Sequence, residues 1–164
     1  MGSKTFQKSA VKRLYKELKS FESADGLALV QPNTDDLSVL YIDIKVLDNP
    51  KIYPVDETYR LVVNPSPTYP FDAPQIKFIK YDRYSDTSFK IPIHPHIYSN
   101  GHICLNILYD GWSPANTLHS IAISIQSMLS GNTLTIRPTD DGDYCSRAPS
   151  NPRLTRWVFD DDTV

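Results

Sequence analysis

An α+β fold with an antiparallel sheet is what this sequence predicts, and three observations carry it. Residues 9–22 have helical periodicity, residues 26–80 hold about four short strand-like segments with no helix between them, and a strongly apolar helical segment follows only after residue 113. Strands that cluster, rather than alternate with helices, build an antiparallel sheet with the helices set to one side.

Each element has its own signal. In residues 9–22, Val11, Leu14, Leu18 and Phe21 recur at helical spacing, so one stripe faces a core. Lys12, Lys16 and Lys19 form a second stripe with Arg13 beside it, a solvated face or a dock for an acidic partner. Gly26–Gln31 reads as a short strand. From Leu37 to Leu47, Leu40, Ile42, Ile44 and Val46 alternate with Tyr41, Asp43 and Lys45, as in a half-buried strand. Thr58–Val63 is another strand, with Tyr59, Leu61 and Val63 on one side. Gln75–Lys80 is the next, with Ile76 and Phe78 together. The second helix is predicted from Ser113 as N-cap, with Pro114 in the first turn, where a missing N–H costs nothing. Leu118, Ile121, Ala122, Ile125, Met128 and Leu129 make it a core helix, and Gly131 stops it. Beyond Ile136 periodicity fades. Residues 139–164 hold six aspartates against three arginines and are expected to form an irregular, acidic extension.

A chain of 164 residues is expected to fold as one domain with a substantial core. The net charge of −2 argues against nucleic acid, and no apolar stretch approaches a membrane span. The opening MGSKTF lacks signal-peptide character and, with Phe6 where Ser or Thr is needed, misses the myristoylation pattern. Two cysteines, Cys104 and Cys145, make no disulfide framework, so a reducing compartment is expected.

Cys104 is the residue with chemistry. It stands eight positions after His94-Pro95-His96 and just before Trp112-Ser113-Pro114-Ala115. If the backbone is extended after the Asn100-Gly101 turn, Ile103, Leu105 and Ile107 anchor one face and Cys104 points the other way with Asn106. A cysteine between Ile and Leu is also an ordinary core residue. Three chemistries compete with that plain reading. His94, His96, His102 and Cys104 could hold zinc, although no CxxC clip is present. Cys104 could be a hydrolase nucleophile with one of these histidines, or His119, as base. Or it could carry an acyl group as a thioester.

The run of motifs favours the last. Val11-Lys12-Arg13-Leu14-Tyr15-Lys16-Glu17-Leu18, Tyr69-Pro70-Phe71-Asp72-Ala73-Pro74, His94-Pro95-His96, Gly101-His102-Ile103-Cys104-Leu105 and Trp112-Ser113-Pro114-Ala115 together resemble the ubiquitin-conjugating enzymes over residues 9 to about 130. His-Pro-His, Ser99-Asn100-Gly101-His102, the serine-rich end of the second helix and the ending Arg156-Trp157 with Asp161-Asp162-Thr163-Val164 resemble the W-type branch, which modifies substrate N-termini.

The resemblance implies a UBC-like fold: an N-terminal helix, a four-stranded antiparallel meander, an active-site loop, a central helix and an irregular C-terminal region. It divides the chain into a core, 1–138, and an atypical acidic extension of the same domain, 139–164. It implies that Cys104 accepts ubiquitin from an activating enzyme and passes it to an amine, with His96 and His94 as further catalytic candidates and Pro95 and Asn100 supporting the loop. Lys12, Arg13, Lys16, Phe71, Pro114 and Ala115 match the surface for the activating enzyme and RING or U-box ligases. No metal or cofactor is implied, since ATP is consumed by the activating enzyme. Substrates would be proteins with flexible N-termini, and the location cytoplasm and/or nucleus. A non-catalytic binding module of the same fold is the rival, and Cys104 argues against it.

Departures from the family pattern are informative. His96 replaces an asparagine, and a neutral imidazole still donates one hydrogen bond toward an oxyanion. The family's gate acid falls near Ile136, with Asp140 and Asp141 close by but not aligned. The glycines usual between the second and third strands are missing at Ile52-Tyr53-Pro54. At pH 7.4 about 0.1% of lysine amines but roughly a quarter of α-amines are neutral. That difference, worth ~3 kcal/mol of deprotonation, makes the first two losses tolerable for an enzyme that modifies α-amines.

Overall fold

The computed structural model describes residues 4–159. Met1–Ser3 of the opening segment, and Asp160, Asp161, Asp162, Thr163 and Val164 of the acidic ending, lie outside the described residues.

The first helix, α1, is Lys8–Ser20. Leu14 is buried, Val11 and Leu18 pack against the core, and Phe21 does so just beyond the helix end. One residue inside this apolar arc is not apolar. Glu17 is 5% exposed.

Four strands follow: β1 (Leu27–Val30), β2 (Leu40–Ile44), β3 (Tyr59–Asn64) and β4 (Gln75–Phe78). They pair in chain order, each antiparallel to the next. Register places the alternation in rows: Leu40 opposite Val63, Ile42 opposite Leu61, Ile44 opposite Tyr59, then Leu61 opposite Phe78 and Val63 opposite Ile76. These side chains form one core with α1 and the central helix. The meander is the predicted one.

The outer face differs from expectation. Tyr41, predicted to face solvent, is buried. A hairpin of two-residue strands, β5 (Tyr81–Asp82) and β6 (Thr87–Ser88), puts Asp82 over it. Tyr41 donates to Asp82 at 2.8 Å, and the Arg60 guanidinium bridges Asp43 and Asp82 at 2.7 and 2.9 Å. Strands this short leave no readable period.

The central helix, α2, is Leu118–Ser130, its N-cap Thr117 four residues later than the Ser113 cap predicted. Arg13 explains the delay. Its guanidinium takes the carbonyls of Pro114 and Asn116, each at 2.9 Å, and Ser113–Asn116 closes as a turn. Thr117 is the true N-cap, in a capping box with Ser120. The predicted stripe is buried throughout, and Gly131 caps the end.

Among the described residues the C-terminal region is not wholly irregular. A seven-residue helix, α3 (Asp141–Arg147), buries Tyr144, and a 3₁₀ turn at Pro152–Leu154 buries Pro152. A helix that buries one residue has no stripe to read, which is why periodicity missed it. Among the described residues, no helix is long and apolar enough to cross a membrane.

Candidate active site

The cysteine-bearing loop is built on β4. The turn Tyr98–Gly101 is closed by Gly101 N–H to the Tyr98 carbonyl, and Asn100 Oδ1 accepts from His102 N–H at 3.1 Å. Gly101 has φ +91, and a Cβ there would stand 2.0 Å from the Phe78 carbonyl oxygen. Only glycine allows that seat. Isolated bridges join Ile97 to His94 and to Ile103, and Cys104 N–H donates to the His96 carbonyl at 2.8 Å.

The extended alternation predicted beyond Cys104 fails. After Leu105 the chain enters a 3₁₀ turn, Asn106–Leu108, so Ile103 and Leu108 are the buried anchors while Leu105 and Ile107 are half-buried. Cys104 still turns away from the core. Its side chain is partly exposed and lines a cleft of about 400 Å³ with Tyr98, Asp140, Tyr144, Leu154 and Trp157. Sγ–H donates weakly to the Val158 carbonyl at 3.7 Å.

The histidines have separate tasks. His94 is 4% exposed, and its Nδ1 accepts from His96 N–H at 2.9 Å. Burial first, then the neighbouring His96, lowers its pKa to about 4, against a bond to the Met128 carbonyl. It is neutral at physiological pH and braces the loop. The His96 ring lies 5.5 Å from that of His94, centroid to centroid, and is half-buried. His102 is 2% exposed, its Nδ1 meets Tyr144 Oη at 2.7 Å, and burial, with Lys77 as a second cause, lowers it too to about 4. His119 packs edge-on against Phe21. Among the described residues, no group of three or more His, Cys, Asp or Glu is placed to hold a metal ion.

The two depressed histidines make stability pH-dependent with a fixed sign. Both are neutral in the fold down to about pH 4 but take up a proton below about 6.5 when unfolded. The unfolded state therefore binds more protons between those values, and stability falls as pH falls through that window. At pH 5 each should cost on the order of 2 kcal/mol relative to neutral pH. Urea unfolding at pH 7 and 5 should show the loss, and His102→Gln should remove about half of it, leaving the share of His94.

The C-terminal region supplies much of the cleft. Tyr98 donates to Asp140 at 3.0 Å, and Asp141 accepts from Ser99 N–H at 2.8 Å. Asp140, though not aligned with the family's gate acid, brings a carboxylate to the same cleft as Cys104, while Ile136 is not among its lining residues. Trp157 stacks on Tyr109 at 5.2 Å and bonds the Pro152 carbonyl. Cys145 lies in α3, its sulfur 3.4 Å from Ser99 Oγ and 3.5 Å from Asp141.

A second surface lies at the far end of α1. Lys12, Lys16, Phe71, Pro114 and Ala115 are all exposed, Phe71 at 71%. Arg13, by contrast, spends its guanidinium inside, on Glu17 at 2.9 Å and on the Pro114 and Asn116 carbonyls. Glu17 also accepts from Tyr69 Oη and from Leu118 N–H, both at 2.6 Å. One carboxylate thus ties α1, the loop carrying Phe71 and the start of α2. The signal for it was present in the sequence: Glu17 sits between Leu14, Leu18 and Phe21, four residues after Arg13.

The family model described as "Ubiquitin-conjugating enzyme" matches residues 13–143. The chain is 45% identical over 154 residues to the "Probable ubiquitin-conjugating enzyme E2 W" of Dictyostelium discoideum, covering 93% of this chain and 96% of that protein. It is 42% identical over 163 residues to the "Probable ubiquitin-conjugating enzyme E2 16" of Arabidopsis thaliana, covering 98% of this chain and 94% of that one. Among solved structures, the ubiquitin-conjugating enzyme E2 UbcA1 from Agrocybe aegerita superposes with a TM-score of 0.76 at 34% identity, covering 87% of this chain and 97% of that one.

Proposed function

This chain belongs to the ubiquitin-conjugating enzyme family, and from that premise we propose that Cys104 carries ubiquitin as a thioester and passes it to the α-amino group of protein substrates. The observation that carries the reading is the partly exposed Cys104 side chain in a cleft, its own N–H fastened to the loop bearing His96.

The thiolate attacks the thioester that links ubiquitin's C-terminal carbonyl to the activating enzyme, and that enzyme's thiol leaves. The carbonyl is then attacked by a neutral amine. A tetrahedral oxyanion forms, collapses to an amide and releases Cys104 as thiol once the amine's extra proton departs. His96 is the candidate donor to that oxyanion. Asp140 is the candidate to attract the amine as a cation and to take its proton. A carboxylate can do this for either kind of amine, so the preference for α-amines rests on their larger neutral fraction, on the order of 200-fold at pH 7.4. Family membership brings ubiquitin, an activating enzyme and ubiquitin ligases as partners. Lys12, Lys16, Phe71, Pro114 and Ala115 are the proposed docking residues, with Arg13 bracing them. No cofactor takes part, and the cytoplasm and/or nucleus is the proposed location.

Acetylating the N-terminus of a substrate that retains its lysines tests the preference. Mass spectrometry should find transfer reduced to background. Undiminished modification of lysines in the acetylated substrate would refute it.

A further inference from the structure

The loop carrying His94-Pro95-His96 is short of regular structure, yet nearly every carbonyl in it has a donor. The Ile93 carbonyl accepts from Tyr53 Oη at 2.6 Å and Asn132 Nδ2 at 3.3 Å, that of His94 from Ile97 N–H, and that of His96 from Cys104 N–H. Of the other four, those of Ile91, Pro92 and Ile97 are served by one side chain. Arg137 Nη1 donates to the Pro92 carbonyl at 2.6 Å and the Ile97 carbonyl at 3.1 Å, and Nη2 to the Ile91 carbonyl at 2.9 Å. The guanidinium therefore joins the loop's entry to its exit. Its planar fork suits this task, and an ammonium would not replace it.

Arg137 is also tied through the chain to the cleft that holds Cys104. Three residues on stands Asp140, which faces Tyr98 and lines the cleft with Cys104. Asp141 N–H bonds the Pro138 carbonyl, so the connection is a closed turn. One residue thus grips the His96 loop with its side chain and carries the turn to Asp140 on its backbone. We infer that Arg137 is a positioning residue for transfer: by stapling residues 91–92 to 97 it fixes the His96 loop, which holds Cys104 N–H, and the turn bearing Asp140 relative to the Cys104 sulfur. This rests on the reading of Cys104 as acyl carrier and His96 as oxyanion donor.

The geometry bears on the attack more than on charging. Charging needs a reachable thiol, whereas aminolysis needs sulfur, oxyanion donor and amine aligned together. The test charges the intact enzyme and its Arg137→Lys, Arg137→Met, His96→Ala and Arg137→Lys/His96→Ala variants with ubiquitin. Single-turnover discharge to a peptide with a free α-amine is then followed across peptide concentrations. Arg137→Lys should lower the maximal discharge rate about tenfold to a hundredfold. The half-saturating peptide concentration and the charging rate should hold within about twofold of their unmutated values, while the thermal midpoint falls as loop carbonyls lose their donors. The double variant should be no slower than the slower single variant, since both act through one loop.

Unchanged discharge in Arg137→Lys overturns the inference, as does, where His96→Ala is itself slow, a double variant slowed by the product of the two single effects. If Arg137→Met fails to fold, Arg137→Lys alone decides. A silent His96→Ala beside a slow Arg137→Lys removes His96 from the reaction but upholds the staple, which then acts through the grip of the loop on Cys104 N–H.

Discussion

Cys104→Ser should abolish the reducible adduct formed with activating enzyme, ATP and ubiquitin, on a non-reducing gel, to background. Serine keeps the size of the side chain but not the chemistry. A thiol ionises within about a unit or two of neutral pH, and a hydroxyl does not. Any ester formed on serine would survive a thiol reductant, so the reducible band is the proper readout. Cys145→Ser is the matched control and should charge normally, because that sulfur is engaged with Ser99 and Asp141 in α3. A reducible adduct that persists in Cys104→Ser, or that depends on Cys145, would remove the basis of the assignment.

Glu17→Ala carries the second large effect, on stability. The substitution orphans Tyr69 Oη and Leu118 N–H, both buried donors, and frees Arg13 to move away from the Pro114 and Asn116 carbonyls. An unsatisfied buried donor costs ~1–3 kcal/mol, and removing one member of a buried charged pair costs ~3–5. Arg13 keeps some exposure, so about 3 kcal/mol is expected, a fall in thermal midpoint of roughly 6–12 °C for a domain of this size. Glu17→Gln should lose about half as much, since its amide oxygen still serves Leu118 N–H. Calorimetry of the three proteins decides. A midpoint for Glu17→Ala within a degree of the unmutated protein would show that the carboxylate contributes nothing.

What the sequence made legible was whatever repeats. Rows such as Leu40, Ile42 and Ile44 against Tyr59, Leu61 and Val63 declare a strand face by period, and the stripe from Leu118 to Leu129 declares a helix. Motif spacing found Cys104, and the structure turns it to a cleft. Single long-range bonds were illegible. Nothing near Ser113 tells that Arg13 will claim the carbonyls a helix would need, and nothing near Arg137 tells that three carbonyls from 91 to 97 await it. Asp140 is near Ile136 in sequence but not aligned with the family's gate acid, and no periodicity shows where its carboxylate goes. The turn of α3 brings it to Tyr98.

The contact of Gly101 with Phe78 has a wider consequence. Backbone rests on backbone there, with no side chain between to be repacked, and Phe78 N–H returns a bond to Gly101. The nucleophile is thereby referenced to the stiffest part of the molecule, much as an instrument is mounted on its bench rather than on its housing. On the proposed reading, partners that dock at Phe71 or Pro114 can pull at the periphery while the point of attack holds its bearing.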